Sequence, residues 1–124
     1  MELLVTVEDV KNELDIDLAQ ELGVQPRQAN NYLLAKQEEV LTFIGGYAYY
    51  GARQVQYYLT VERCIGVIKR AILIQIQALA ERRWVEFDTD ARDNSQISPR
   101  VKRYLGANGL LFTGRLPYYE NKRC

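Results

Sequence analysis

Ala71-Ile72-Leu73-Ile74-Gln75-Ile76-Gln77-Ala78-Leu79-Ala80 is the most apolar run of the chain, and its reading decides the fold. The run is about half the length of a membrane span and is broken by Gln75 and Gln77, so it reads as the middle of a buried helix. Followed outward, helical spacing holds over residues 60–83. Val61, Ile65, Ile68, Ile72, Ile76 and Leu79 form one stripe; Cys64, Val67, Ala71, Ile74 and Ala78 form a second beside it. Together they cover roughly half the helix or more, wider than the face of a one-sided surface helix. Such a helix is either central and packed on two sides, or packed on one side and against a neighbouring subunit.

Upstream, Thr6 followed by Asp9 is an N-cap signature and predicts a short helix over residues 7–14. Glu8 and Asp9 then lie in its first turn, where the helix dipole favours acids. Asp15-Ile16-Asp17 leads through Gly23 to Pro26, a good first-turn residue for a second helix. Ala29, Tyr32, Leu33, Lys36, Val40, Phe43 and Ile44 share one face of that helix, with the Lys36 ammonium expected at its rim. Gly45-Gly46 is expected to end it. Residues 47–59 form a Tyr-rich connection holding Tyr47, Tyr49, Tyr50, Tyr57 and Tyr58. Tyrosine suits an interface, but it equally suits a core edge whose hydroxyls reach water.

Downstream of Trp84, the alternation of Val85 and Phe87 predicts a short strand, and residues 88–96 a polar loop. Ser98-Pro99 is a helix start, with serine as cap and proline in the first helical position. That helix is expected over residues 99–105, ending at Gly106. Asn108-Gly109 marks a turn, and Leu110-Leu111-Phe112-Thr113 reads as a strand. The tail from Pro117 to Cys124 is expected to be flexible when alone. The expected fold is therefore mostly α: a small bundle of three to four helices around a long central one, with a polar loop and a short β-like C-terminal segment. Residues 1–106 make the helical domain and residues 107–124 an extended, partner-docking segment.

Composition bounds the chemistry. The chain has 124 residues, 48% apolar and 26% charged, as expected of a single soluble globular domain. No signal peptide is read at the N-terminus. There is no histidine, and the two cysteines, Cys64 and Cys124, are far apart, so neither a zinc site nor a disulfide framework is expected. Two reduced thiols in a cytoplasmic setting are the simplest reading. Without histidine there is no Ser-His or Cys-His pair. Cys64 falls on an apolar helix face as an inert thiol. The acids Asp15 and Asp17, or Asp88, Asp90 and Asp93, offer carboxylates to a divalent cation in principle, but the latter run lacks the central glycine and distal glutamate of a calcium loop and reads as a solvated loop. Gly45, Gly46 and Gly51 match no phosphate-binding pattern. No enzyme activity and no cofactor are expected.

Charge is informative. The total is zero, yet residues 1–50 carry nine acids and three bases, a net of −6, while residues 51–124 carry thirteen bases and seven acids, a net of +6. Two oppositely charged parts suit head-to-tail self-association or two different partners. Arg82-Arg83 and Arg100, Lys102 and Arg103, with Trp84 and Tyr104 nearby, also suit phosphate contact, so a small helical DNA-binding regulator is the alternative reading.

The layout carries a resemblance: a short capped helix in the opening stretch of residues 5–17 (Val5-Thr6-Val7-Glu8-Asp9-Val10-Lys11 at its start), a second amphipathic helix ending in Gly, a long helix through residues 67–75, and, after a polar loop, Ile97-Ser98-Pro99-Arg100-Val101-Lys102-Arg103-Tyr104-Leu105. Over most of residues 3–106 the layout resembles the small head–tail connector (adaptor, or head-completion) proteins of tailed bacteriophages. The resemblance implies a helical virion structural protein without catalytic activity, present in the host cytoplasm during assembly. It implies a ring docked below the portal that extends the DNA channel, lets DNA pass without sequence-specific binding, and supports a stopper or tail-completion protein. No membrane contact is implied, and the free subunit is allowed to be a monomer. On this footing Arg100, Lys102, Arg103, Tyr104, Tyr118, Tyr119, Lys122 and Arg123 are candidate portal contacts. Glu8, Asp9, Asp15, Asp17, Tyr47, Tyr49 and Tyr50 are candidate subunit contacts, and residues 88–96 face the channel or the next ring component.

Overall fold

The computed structural model describes residues 2–47, 51–84 and 97–111. Among the described residues six helices follow in order: α1 (Val7–Leu14), α2 (Leu18–Leu22), α3 (Pro26–Tyr47), α4 (Ala52–Tyr58), α5 (Glu62–Glu81) and α6 (Pro99–Ala107). Among the described residues there is no strand. The mostly-α class is as read from the sequence; the helix count is higher than three to four because two short helices, α2 and α4, occupy stretches read as connections.

Local chemistry sets most of the boundaries. Thr6 and Asp9 form a reciprocal capping box: Asp9 N–H donates to Thr6 Oγ1 at 3.1 Å, and Thr6 N–H donates to Asp9 Oδ2 at 3.0 Å. Asp15 closes α1 in the left-handed conformation at φ 57°, its N–H donating to Lys11 O at 2.9 Å. Asp17 then caps α2 by accepting from Gln20 N–H at 3.3 Å.

Gly45-Gly46 does not end α3, which runs on to Tyr47. Gly51, at φ +60°, stands as the N-cap of α4. Glycine tolerates a helix break without imposing one. At Gly45 a Cβ would lie 3.6 Å from Val55 Cγ2 on α4, an ordinary contact, so packing does not demand glycine there. Likewise Gly106 lies inside α6, and the chain turns two residues later at Asn108 and then at Gly109, φ +79°.

Helix α5 is the central element, packed against α6, α3 and α1, while α4 leans on α3. Ile68, Ile72, Ile76 and Leu79 are fully buried along it. Each such side chain contributes about 1.5–3 kcal/mol by area. The wide apolar arc is thus filled within the chain, the two-sided packing reading, so no neighbouring subunit is needed to cover it.

Two buried amides tie distant segments to this core. Gln37 on α3 accepts from Leu4 N–H at 2.7 Å and donates to Glu2 O at 2.9 Å, pinning the N-terminal segment. Gln75 on α5 accepts from Ser98 N–H at 2.9 Å, fixing the entry to α6. Lys36 departs from its expected rim position: it is only 4% exposed, with its ammonium 2.9 Å from Glu39 Oε2 and 5.0 Å from the Tyr32 ring centroid. A carboxylate one turn on and an aromatic face let the charge stay inside.

Cys64 is fully buried and disulfide-bonded, which corrects the reading of a free reduced thiol at that position. Leu110 is buried in the same core as Leu105, and among the described residues it belongs to no strand. The strand read at residues 85–87, the loop 88–96, Phe112-Thr113 and the tail lie outside the described residues.

Candidate functional site

The basic candidates begin at the α5–α6 joint. Ser98 Oγ accepts from Arg100 N–H at 3.2 Å and Pro99 occupies the first turn, so α6 starts where Gln75 holds it. The Arg100 guanidinium makes a forked pair with the Glu81 carboxylate at the end of α5, one arm at 3.2 Å. The hydrogen bond from Arg100 holds the Glu81 carboxyl below its ordinary range; desolvation opposes it and the positive charge adds to it. The same pair holds Arg100 more firmly protonated. Both side chains stay about half exposed.

Beyond this pair, Lys102 lies over the Phe43 ring at 5.7 Å from its centroid, linking α6 to α3. Tyr104 is half-buried against the core, and Arg103 is exposed. Arg100 and Arg103 are both exposed, while Arg100 and Lys102 also join α6 to α5 and α3. Arg82 and Arg83 are exposed where α5 unwinds, with left-handed backbone at Arg83 (φ 56°) and Trp84 (φ 68°). Trp84 stacks edge-to-face on Tyr32, 6.1 Å between centroids.

The acidic candidates are mostly engaged locally. Asp9 completes the α1 capping box, Asp17 caps α2, and Asp15 closes α1 with its carboxylate 3.8 Å from Lys11 Nζ. Glu8 is exposed. Of the tyrosines, Tyr47 is the last residue of α3, with its side chain outside the described residues. Tyr49, Tyr50, Tyr118, Tyr119, Lys122 and Arg123 also lie outside them. The structure brings Arg100, Lys102, Arg103 and Tyr104 onto one helix, and Glu8, Asp9, Asp15 and Asp17 onto the α1–α2 end.

Two grooves were not read from the sequence. One, about 270 Å³, runs between the N-terminal segment with α1 and α5, lined by Leu4, Val5, Asp9, Glu13, Gly66, Lys69, Arg70 and Leu73. It sets acids of the negative part of the chain opposite bases of the positive part. The other, about 340 Å³, lies between α3 and α4 with Leu41, Val55 and Leu59 on its walls. Helix α4 also buries Tyr58 and exposes Tyr57. Burial raises the Tyr58 hydroxyl's pKa above its ordinary value. The signal for α4 was the i, i+3, i+4 spacing of Val55, Tyr58 and Leu59, masked by the tyrosine density around it.

Among the described residues, no group of three or more His, Cys, Asp or Glu is placed to hold a metal ion, and no helix is long and apolar enough to cross a membrane. No protein-family model, curated protein or solved structure matches the chain.

Proposed function

We propose that this chain is a virion structural protein, a head–tail connector of a tailed bacteriophage. It assembles as a ring below the portal, extends the DNA channel and carries the stopper or tail. The observation that supports this most is that two short motifs of the sequence resemblance each fix a helix in place. Thr6 to Asp9 makes the α1 capping box, and Ser98-Pro99-Arg100 seats α6 on the central α5 through Gln75 and Glu81. Motifs used in this way support a shared architecture better than scattered surface identities would. In this reading Arg103, Tyr104 and the adjoining residues of α6 face the portal. The protein's role is mechanical: it binds, spaces and seals, with no reaction of its own.

The alternative, a DNA-binding regulator, draws less support from the same residues. Arg100 is engaged by Glu81 and Lys102 lies over Phe43, which leaves fewer bases facing outward together. Disrupting the gene in its phage tests the proposal. The expected result is an accumulation of DNA-containing heads without tails, rescued by supplying the protein. Intact, tailed, infectious particles in its absence would overturn it.

A further inference from the structure

The α1/α5 groove has lips of opposite sign. Asp9 and Glu13 stand one turn apart on α1, Lys69 and Arg70 face them from α5, and Leu4, Val5 and Leu73 lie between. Among the described residues no ion pair joins the two lips. A polyanion such as nucleic acid, or an anionic membrane surface, would be repelled by the acidic lip. A protein segment carrying a base, an apolar side chain and an acid in succession matches both lips and the floor.

Gly66 sharpens this. It sits inside α5, where alanine would favour the helix, and a Cβ there would meet nothing within 4 Å. The chain's own packing therefore does not demand glycine at this position. Its missing side chain leaves the groove open along one turn of α5.

The same chain presents a matching knob. Tyr57 on α4 is 52% exposed and is the large hydrophobic side chain that stands out among the described residues. Arg53, one turn earlier on α4, and Glu62, in the first turn of α5, are both exposed beside it in the chain. The order base, tyrosine, acid is the complement of acidic lip, apolar floor, basic lip. Tyrosine also brings a large contact area at low entropic cost.

We propose that the α1/α5 groove receives the Tyr57 knob of a second copy of this chain, with Arg53 directed to Asp9 and Glu13 and Glu62 directed to Lys69 and Arg70. Tyr57 does not line the groove, so knob and groove are different surfaces and the contact is heterologous. It repeats head to tail and closes into a ring where the rotation allows. The choice of a second copy rests on the assembly reading above. Its test uses the free protein without a portal, so failure of this contact and failure of portal docking are separate results.

Sedimentation velocity of the free chain up to about 1 mM, the range of weak contacts, reads the association. The wild-type sedimentation coefficient is expected to rise with concentration. Tyr57→Ala and Gly66→Trp are each expected to remain monomeric while keeping the helical circular-dichroism spectrum. Mixed together they are expected to form a dimer and stop there, because one keeps only the groove and the other only the knob. Arg53→Glu is expected to lose association, and adding Glu13→Arg to regain it. A wild type monomeric throughout the range, a Gly66→Trp protein associating like wild type, or a charge exchange without recovery would each overturn the proposal.

Discussion

Gln75 shows how much of this molecule turns on single side chains. It lies in the most apolar run of the chain, fully buried, and its amide oxygen accepts from the Ser98 backbone N–H. Gln75→Leu keeps the volume roughly constant but leaves that buried N–H without its acceptor. The expected cost is about 1–3 kcal/mol, read as a lower denaturation midpoint at unchanged m-value. A wild-type midpoint would mean that the α5–α6 joint is held elsewhere. The sequence showed Gln75 only as an interruption of the run, because its partner is 23 residues away and hydrophobic patterning does not encode a polar joint across that distance. Lys36 was misread for a related reason. A lysine on an apolar face ordinarily reaches outward, yet Glu39 and Tyr32 provide a carboxylate and a ring where the ammonium already lies.

Elements were legible where their ends are chemically marked. The α1 capping box and the Ser98-Pro99 start of α6 are contained within a few consecutive residues, and the structure places both as read. The short helices α2 and α4 have too few residues for a periodicity to stand out, and tertiary packing on their neighbours holds them. Gly45-Gly46 misled because glycine permits a helix to end without making it end, and α3 continues through both to Tyr47. The contact between α5 and α6 carries a pH prediction through Glu81. Its pKa in the fold lies below the ordinary 4.5, chiefly through the hydrogen bond from Arg100. The unfolded chain therefore takes up the proton first, and the pair's contribution is present above that ordinary value and lost as pH falls through the lowered one. Unfolding of wild type and Glu81→Gln, compared along an acid series, is expected to show a gap that narrows as pH drops below 4.5. A gap independent of pH would mean that the ionised pair does not contribute.

At the scale of the whole molecule, the charge division first legible in the sequence is partly resolved inside the fold. Acidic α1 faces basic α5 across the groove, and Asp9 and Asp17 serve as caps in place. Among the described residues, the surfaces left for partners include the outer face of α6, the oppositely charged groove, and Tyr57. None of these three follows from counting charges or tyrosines, because each depends on which helices come to lie side by side. The wide arc of α5, consistent at first with a subunit interface, is filled by α6, α3 and α1, so the case for assembly rests on the surface and on the resemblance. The most direct measurement of the central claim is electron microscopy of this protein mixed with portal particles from the same phage. The account predicts an added ring of density coaxial with the portal, reduced when Arg103 is replaced by glutamate. Portal particles unchanged by saturating protein would contradict it.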